Sequence, residues 1–116
     1  MARSGRSGAP AEPALIRRGE LHWVAAPDGK TRPALIISVT RRNQRAGDLV
    51  VIPCSTQLRF GPWHVPLARH EGGLPSSSVV RCEELYTVRR AALRGRIGGP
   101  LSRSRLAQVE AAIASA

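Results

Sequence analysis

The apolar residues of this chain stand in short runs, and prolines, glycines or polar residues interrupt every run. Residues 33–40 (PALIISVT) and 49–55 (LVVIPCS) are two such runs, and both are rich in the β-branched side chains that favour strands. In residues 20–26 (ELHWVAA), Leu21 and Trp23 alternate with other side chains, as in a strand with one buried face. A membrane span takes about 20 apolar residues, which no run approaches. The pattern therefore predicts a small fold built mainly from short β-strands.

Turn-forming residues divide the rest of the chain in the same way. They predict a turn at residues 27–29 and loops at residues 41–48, 57–62 and 70–77. Further short strands are expected at residues 63–67, 78–85 and 96–98. Thr87 is expected to cap a short helical turn that ends near Leu93.

The last part of the chain has a helical pattern. Ser102 is a candidate N-cap, and Leu106, Val109 and Ile113 then recur at helical spacing. This apolar stripe is expected to lie against the sheet. The predicted fold is mainly β: five to seven short strands in a strongly bent sheet or half-barrel, with one C-terminal helix.

The charge of the chain points to an anionic partner. Residues 17–116 alone carry 16 basic and 7 acidic residues, a net charge of +9, and Lys30 is the only lysine. Arginine forms forked contacts with phosphate groups, which lysine does not. A folded body this basic predicts RNA or DNA as its partner. A basic composition without any such function stays open as an alternative.

The cysteines and histidines do not indicate a metal site. Cys54 and Cys82 lie in strand-like runs, and their spacing from other cysteines or histidines fits no zinc pattern. We therefore expect no metal and no cofactor, and two reduced, buried thiols in a cytoplasmic protein. Residues 1–16 are rich in glycine, alanine, serine and proline and predict a flexible arm before a domain at residues 17–116.

Five segments in order resemble a known family. They are residues 18–23 (RGELHW), residues 31–36 (TRPALI), residues 51–56 (VIPCST), residues 78–84 (SVVRCEE) with Thr87 and Val88, and Gly98 with Leu101 and Ser102 before the last helix. Their order and spacing resemble the MazF/PemK toxins of bacterial toxin–antitoxin pairs. The resemblance covers residues 17–116.

The resemblance implies an SH3-like, plug-type β-barrel, as in the CcdB and PemK folds, that forms homodimers. It implies a sequence-preferring endoribonuclease that cleaves single-stranded RNA without a metal. The products implied are a 2′,3′-cyclic phosphate and a 5′-hydroxyl. It also implies a cognate antitoxin, which we expect to bind through an acidic segment.

The resemblance also implies site residues. Arg32 matches a catalytic arginine of the family, and Ser55 matches a hydroxyl that contacts the scissile phosphate, with Thr56 adjacent to it. Arg81 and Glu83 match an arginine and an aspartate that some PemK-type relatives use in catalysis. Here Glu83 replaces that aspartate, and Glu84 follows where glutamine is usual.

These side chains are of the types that metal-free cleavage of RNA requires. Arginines can stabilise the anionic phosphorane formed when a 2′-hydroxyl attacks phosphorus. On a strand, Arg81 and Glu83 share a face and make an acid/base pair or a plain surface salt bridge. A solvated Arg32 and a turn-forming Ser55 remain the alternatives for those residues.

RNA binding calls for cations and an exposed aromatic ring. The predicted contacts are Arg41, Arg42, Arg45, Arg59 and Phe60, with Phe60 as the stacking residue. Two other functions stay open: a basic barrel that binds RNA or DNA without catalysis, and a CcdB-like topoisomerase poison.

Overall fold

Seven strands and two α-helices make up the part of the fold that a computed structural model describes, residues 15–116. The strands are β1 (Leu21–Ala25), β2 (Thr31–Ile36), β3 (Asp48–Ser55), β4 (His64–Leu67), β5 (Ser78–Arg81), β6 (Tyr86–Arg89) and β7 (Leu93–Gly98). The helices are α1 (Thr40–Arg45) and α2 (Arg103–Ala114), and two 3₁₀ turns lie at Glu71–Gly73 and Arg90–Ala92. Neither α-helix has the length and apolar character that a membrane crossing requires.

All the strand pairs are antiparallel, in the order β4-β5-β3-β2-β1-β7. β6 pairs with the first half of β3, and β5 pairs with its end. Among residues 15–116 the outermost strands, β4 and β7, do not pair with each other, so the sheet is not closed. The predicted mainly β fold of five to seven short strands with a C-terminal helix is confirmed, and the sheet stays open instead of closing into a complete barrel.

Strand β3 separates two hydrophobic cores, because its side chains alternate between the faces of the sheet. Ile52 and Cys54 belong to the core that includes Val109 of α2. Leu49 and Val51 belong to a second core on the opposite face, with Val24, Ile36 and Val88. Pro53 and Ser55 continue this second face beyond Val51, which places Ser55 where the apolar packing ends.

The C-terminal helix begins as predicted. The Ser102 hydroxyl accepts a hydrogen bond of 3.1 Å from the backbone N–H of Arg105. A bidentate contact from the Arg105 guanidinium to Glu71, with distances of 2.6 and 3.0 Å, also holds the helix against the Glu71–Gly73 turn.

We expect Ser102→Ala to lower the free energy of unfolding by about 1 kcal/mol, because one backbone donor of the first turn loses its acceptor. Urea unfolding followed by circular dichroism measures this change. The matched control is Ser104→Ala in the same turn, which removes the 3.3 Å contact between the two serine hydroxyls but leaves the Ser102 hydroxyl and its bond to the Arg105 N–H in place. Equal stabilities of the two variants would contradict a capping role for Ser102.

Two local predictions are wrong. The basic loop expected at residues 41–48 contains helix α1, which forms around the buried side chain of Asn43. Asn43 Nδ2 donates to the carbonyl oxygens of Ile16 and Ser38, and Asn43 Oδ1 accepts from the Ser38 hydroxyl. The helical turn expected from Thr87 is strand β6, because Val88 packs into the second core opposite Leu49; the helical turn follows at Arg90–Ala92.

A flexible arm was predicted at residues 1–16, of which residues 1–14 lie outside the part of the chain that the structure describes. At its end, the Ile16 side chain is buried in the second core. Ile16, the residue before the predicted domain start, thus packs with the core of the protein.

Candidate active site

Strands β2 and β3 bring Arg32 and Ser55 to the same place. Ala34 lies opposite Pro53, and Leu35 lies opposite Ile52. Continuing this register by two residues sets Arg32 opposite Ser55, on the face that holds the second core. The two side chains that the sequence singled out from separate motifs are thus neighbours.

Strand β5 adds Arg81 on the other side of β3. Cys54 pairs with Val80, so the next residues in the register, Pro53 and Arg81, lie opposite each other. A cleft of about 730 Å³ opens at this end of the sheet. Its lining consists of Ala26, Arg32, Pro33, Pro53, Cys54, Ser55, Thr56, Gln57, Arg81, Glu84 and Tyr86. Four of the five predicted catalytic residues therefore share one cleft, and Glu83 does not line it.

The guanidinium of Arg32 is half exposed and is held by a carboxylate from the turn between β1 and β2. Arg32 Nη2 lies 2.9 Å from Asp28 Oδ2. The hydrogen bond from Arg32, followed by the one from the Lys30 N–H, keeps the pKa of Asp28 below its ordinary value. Since the pair is exposed on both sides, an incoming phosphate can replace Asp28 at little cost.

Arg81 is held more firmly. Its Nη2 lies 2.5 Å from Glu84 Oε2, and a backbone hydrogen bond of 2.9 Å from the Glu84 N–H to the Arg81 carbonyl closes the turn between them. Its Nε is buried and finds no hydrogen-bond acceptor among the described residues.

The expected sharing of one strand face by Arg81 and Glu83 is wrong, because β5 ends at Arg81 rather than at residue 85. The Cys82 N–H bonds to the Trp63 carbonyl, and the chain then turns, so that Glu83 faces β4. Glu83 Oε2 lies 2.9 Å from His64 Nε2. His64 Nδ1 accepts from the Gly61 N–H at 3.0 Å, which leaves Nε2 as the nitrogen that donates to Glu83.

The environment of Glu83 stabilises its charged form. Burial raises its pKa, but the hydrogen bond from His64, a backbone hydrogen bond and the positive charge of Arg81 together outweigh burial, so the pKa is lowered overall. A carboxyl with a lowered pKa stabilises the fold above its unfolded-state pKa, and this contribution disappears as the pH falls through the folded-state value. The pair thus fastens the turn after β5 to β4 at neutral pH.

The two hydroxyls at the end of β3 differ in their surroundings. Ser55 is half-buried, and its Oγ accepts a hydrogen bond of 3.1 Å from the Gln57 N–H. This bond fixes the oxygen and leaves the hydroxyl proton available to a ligand. Thr56 is exposed at the rim of the cleft.

Tyr86 is a cleft residue that the sequence analysis missed. It opens β6 opposite Val51, on the same face as Pro53 and Ser55. Burial, followed by the nearby Cys54, raises the pKa of Tyr86 against an opposing effect of Arg32, so the phenol keeps its proton. The signal was an aromatic residue two positions after the 78–84 motif, which was hidden because a helical turn was predicted from Thr87 in place of strand β6.

The thiol beside the cleft is unsuited to nucleophilic catalysis. Burial, with a further effect from Cys82, raises the pKa of Cys54 to about 12. Burial also raises the pKa of Cys82 to about 11. Both groups therefore remain thiols at neutral pH. Nowhere in residues 15–116 do three or more His, Cys, Asp or Glu side chains gather in a way that suits a metal ion.

The predicted RNA-binding residues fall into two groups. Arg59 and Phe60 lie in the loop that leaves β3 at the cleft end, and the Phe60 side chain is 72% exposed. Arg41, Arg42 and Arg45 lie on α1, which precedes the opposite end of β3. The eight residues of β3 separate the two ends by about 23 Å, at about 3.3 Å per residue.

Comparison with known proteins agrees with this architecture. The family model described as "PemK-like, MazF-like toxin of type II toxin-antitoxin system" matches residues 17–116. A protein of Mycobacterium tuberculosis named "Probable endoribonuclease MazF2" is 35% identical over 82 residues, which cover 71% of this chain and 79% of that protein.

Solved structures show the same fold. The Mycobacterium tuberculosis toxin MazF-mt6 superposes with a TM-score of 0.75 at 27% identity, covering 83% of this chain and 93% of that one. MazF of Deinococcus radiodurans superposes with a TM-score of 0.76 at 23% identity, covering 89% and 96%. Since the family model spans nearly all of the described residues, this chain belongs to the PemK-like, MazF-like toxins of type II toxin–antitoxin systems.

Proposed function

We propose that this toxin is a sequence-preferring endoribonuclease that cleaves single-stranded RNA without a metal ion. The observation that carries the proposal is the meeting of Arg32, Ser55 and Arg81, from three strands, in one cleft. Two guanidinium groups and a hydroxyl are the donors needed to stabilise a phosphorane dianion. The name of the Mycobacterium tuberculosis relative supports the same activity.

The scissile phosphate displaces two carboxylates when it binds. It replaces Asp28 as the partner of Arg32 and Glu84 as the partner of Arg81. The Ser55 hydroxyl donates a hydrogen bond to a non-bridging oxygen of the phosphate. Thr56, at the rim, contacts the adjoining nucleotide. Each carboxylate that phosphate displaces remains beside the substrate.

We assign the general base to the Glu84 carboxylate, with Glu83 as the residue that holds the turn. Glu84 lines the cleft, whereas Glu83 is bonded to His64. Glu84 accepts the 2′-hydroxyl proton as the 2′-oxygen bonds to phosphorus; the P–O5′ bond then breaks, and the 5′-oxygen takes a proton from water. The products are a 2′,3′-cyclic phosphate and a 5′-hydroxyl.

The loop after β3 supplies further substrate contacts. The exposed ring of Phe60 stacks on a base next to the cleavage site, and Arg59 contacts a backbone phosphate. These contacts lie outside the chemical centre, so they set affinity and base preference rather than the rate of bond breaking.

An antitoxin with an acidic segment inhibits the enzyme by occupying the cleft. Asp28 and Glu84 already pair with the two cleft arginines, so carboxylates fit these guanidinium groups. The toxin domain comprises residues 17–116, acts in the cytoplasm and forms a homodimer. The match of the family model to this range supports the domain assignment.

The decisive experiment maps the ends of RNA cut by the purified toxin in EDTA. We expect single-stranded RNA to be cut at preferred sequences, with a 2′,3′-cyclic phosphate and a 5′-hydroxyl at the new ends. Double-stranded RNA of the same sequence is the control and should remain intact. If the fully folded toxin binds RNA without cutting it, the endoribonuclease proposal is wrong, and the chain is a basic RNA-binding protein.

A further inference from the structure

Five arginines gather at the end of β3 that is remote from the cleft. They are Arg41, Arg42 and Arg45 on α1, and Arg89 and Arg90 at the end of β6 and the start of the turn after it, and we call them the distal arginine patch. The register joins the two segments, because Arg89 lies opposite Asp48 and the Arg90 N–H bonds to the Gly47 carbonyl. The Arg90 guanidinium also donates to the Asn43 carbonyl of α1.

The patch has a strong charge imbalance. Asp48 is the only acidic residue in residues 29–70, and there is none in residues 85–109. Asp48 is paired with Arg42, at 2.6 Å, so the patch carries a surplus of positive charge. Arg41, Arg45 and Arg89 are exposed to solvent. Such a surface attracts a polyanion from a distance and binds it through several contacts.

Hydrogen bonds hold the backbone beneath the patch in place, which favours binding. The buried Asn43 side chain makes three hydrogen bonds, to Ile16 and Ser38, that fix α1 to the body of the protein. Because the short helix and the neighbouring turn are already held in place, little ordering of the backbone is needed when a ligand binds.

Strand β6 connects the patch to the cleft. It begins with Tyr86 in the cleft wall and ends with Arg89 in the patch. The four residues span about 10 Å at about 3.3 Å per residue. Because side chains alternate along a strand, Arg89 points to the face of β6 opposite Tyr86. Among residues 15–116, β6 pairs only with β3, so RNA that leaves the cleft can reach Arg89 around the other edge of β6 within a few nucleotides.

We propose that the distal arginine patch binds the backbone phosphates of RNA that flanks the cleavage site. This rests on the proposed function, because the flanking RNA belongs to the substrate held in the cleft. Continuity through β6 favours RNA over an acidic protein as the occupant. The patch contacts no scissile bond, so it raises affinity for long substrates without changing the chemical step.

The test compares two double variants that remove the same charge. The patch variant is Arg41→Gln with Arg89→Gln, one arginine from each segment. The control is Arg69→Gln with Arg103→Gln, two exposed arginines outside both the patch and the cleft. Each is assayed on an RNA that only fills the cleft and on one that extends it by about ten nucleotides, within the range of known single-strand sites.

We expect the patch variant to raise KM for the long RNA about tenfold with kcat unchanged, and to treat the short RNA as the wild type does. The slope of log affinity against log salt for the long RNA should fall by about 1.4, since each phosphate contact contributes about 0.7. The control variant should change neither KM nor the salt slope for the long RNA more than for the short RNA. If the patch variant changes KM for the long and the short RNA by the same factor, the proposal is wrong. A second double variant, Arg45→Gln with Arg89→Gln, repeats the test independently.

Binding measurements separate the patch from the enzyme activity. If the wild type cuts no RNA but the patch variant still loses affinity for the long RNA by fluorescence anisotropy, the proposed function fails and the patch stands. If the variant instead loses affinity for polyglutamate and keeps its affinity for RNA, the patch binds acidic protein and the proposal is wrong.

Discussion

Replacing Arg32 with alanine is expected to lower kcat for RNA cleavage about a hundredfold or more while the protein stays folded. Loss of one preorganised donor to a developing anion typically costs a factor of about 10² to 10³. Arg32 is half exposed and its partner Asp28 lies in a turn, so the substitution removes no core packing. Single-turnover cleavage of a short RNA under saturating protein measures the chemical step directly.

Arg32→Lys distinguishes a forked contact from a positive charge. Lysine keeps the charge but cannot bind two phosphate oxygens through a planar fork. We expect it to recover only a small part of the rate. Ser55→Ala should cost less than either change, because a hydroxyl supplies one neutral hydrogen bond.

The matched control is Arg69→Ala, which removes an exposed arginine outside the cleft and should leave kcat unaltered. Wild-type rates for both Arg32→Ala and Ser55→Ala would place the chemistry somewhere else on the protein.

The sequence could indicate that Arg32 and Ser55 lie close together, because both belong to strands in which buried and exposed side chains alternate clearly. Residues 33–36 and 49–55 contain the apolar residues that fix which face is buried. Once β2 and β3 pair antiparallel, the register decides which side chains meet, and the family resemblance implied that Arg32 and Ser55 belong to one site. This part of the site depends on local pattern and on one strand pairing.

Helix α1 and strand β6 could not be read from local pattern because distant residues hold them. The helix depends on the buried Asn43 contacts with Ile16 and Ser38. A buried asparagine looks like a surface residue in the sequence, next to Arg41 and Arg42. The identity of the patch was therefore visible only once the backbone brought α1 and β6 together.

The error over Glu83 has a similar physical source. Residues 78–85 contain enough apolar character to continue a strand, and alternation then pairs Arg81 with Glu83. The backbone instead turns after Arg81, where Cys82 bonds to Trp63 and the Glu84 N–H bonds to the Arg81 carbonyl. A turn of this kind exchanges the roles of two adjacent carboxylates without any change in composition.

Exchanging these two carboxylates for glutamine is expected to give opposite results. Glu84→Gln should lower kcat about a hundredfold, at the lower end of the effect of a general base, which is about 10² to 10⁴. Glu83→Gln should leave kcat at neutral pH little changed. Both are isosteric, remove one negative charge and lie next to each other, so each controls for the other.

The structure explains why each substitution tests one property. In Glu84→Gln the side-chain carbonyl can still accept the hydrogen bond from Arg81, so the guanidinium keeps its place while the proton acceptor is lost. In Glu83→Gln the carbonyl can still accept from His64 Nε2, and the turn after β5 keeps its shape. Crystal structures or amide NMR spectra of the two variants check that the cleft is unchanged.

The pH–rate profile decides whether Glu84 is a base or only holds Arg81. A base must be ionised, so the wild-type rate should fall at acid pH, and this acid limb of the profile should disappear in Glu84→Gln. A residue that merely positioned Arg81 would lower the rate at every pH and leave the shape of the profile intact. If Glu83→Gln abolishes the limb instead, the turn must reorganise when RNA binds, because Glu83 can serve the cleft only after releasing His64. The outcome depends on the turn after Arg81, because this turn decides which of the two neighbouring carboxylates faces the substrate.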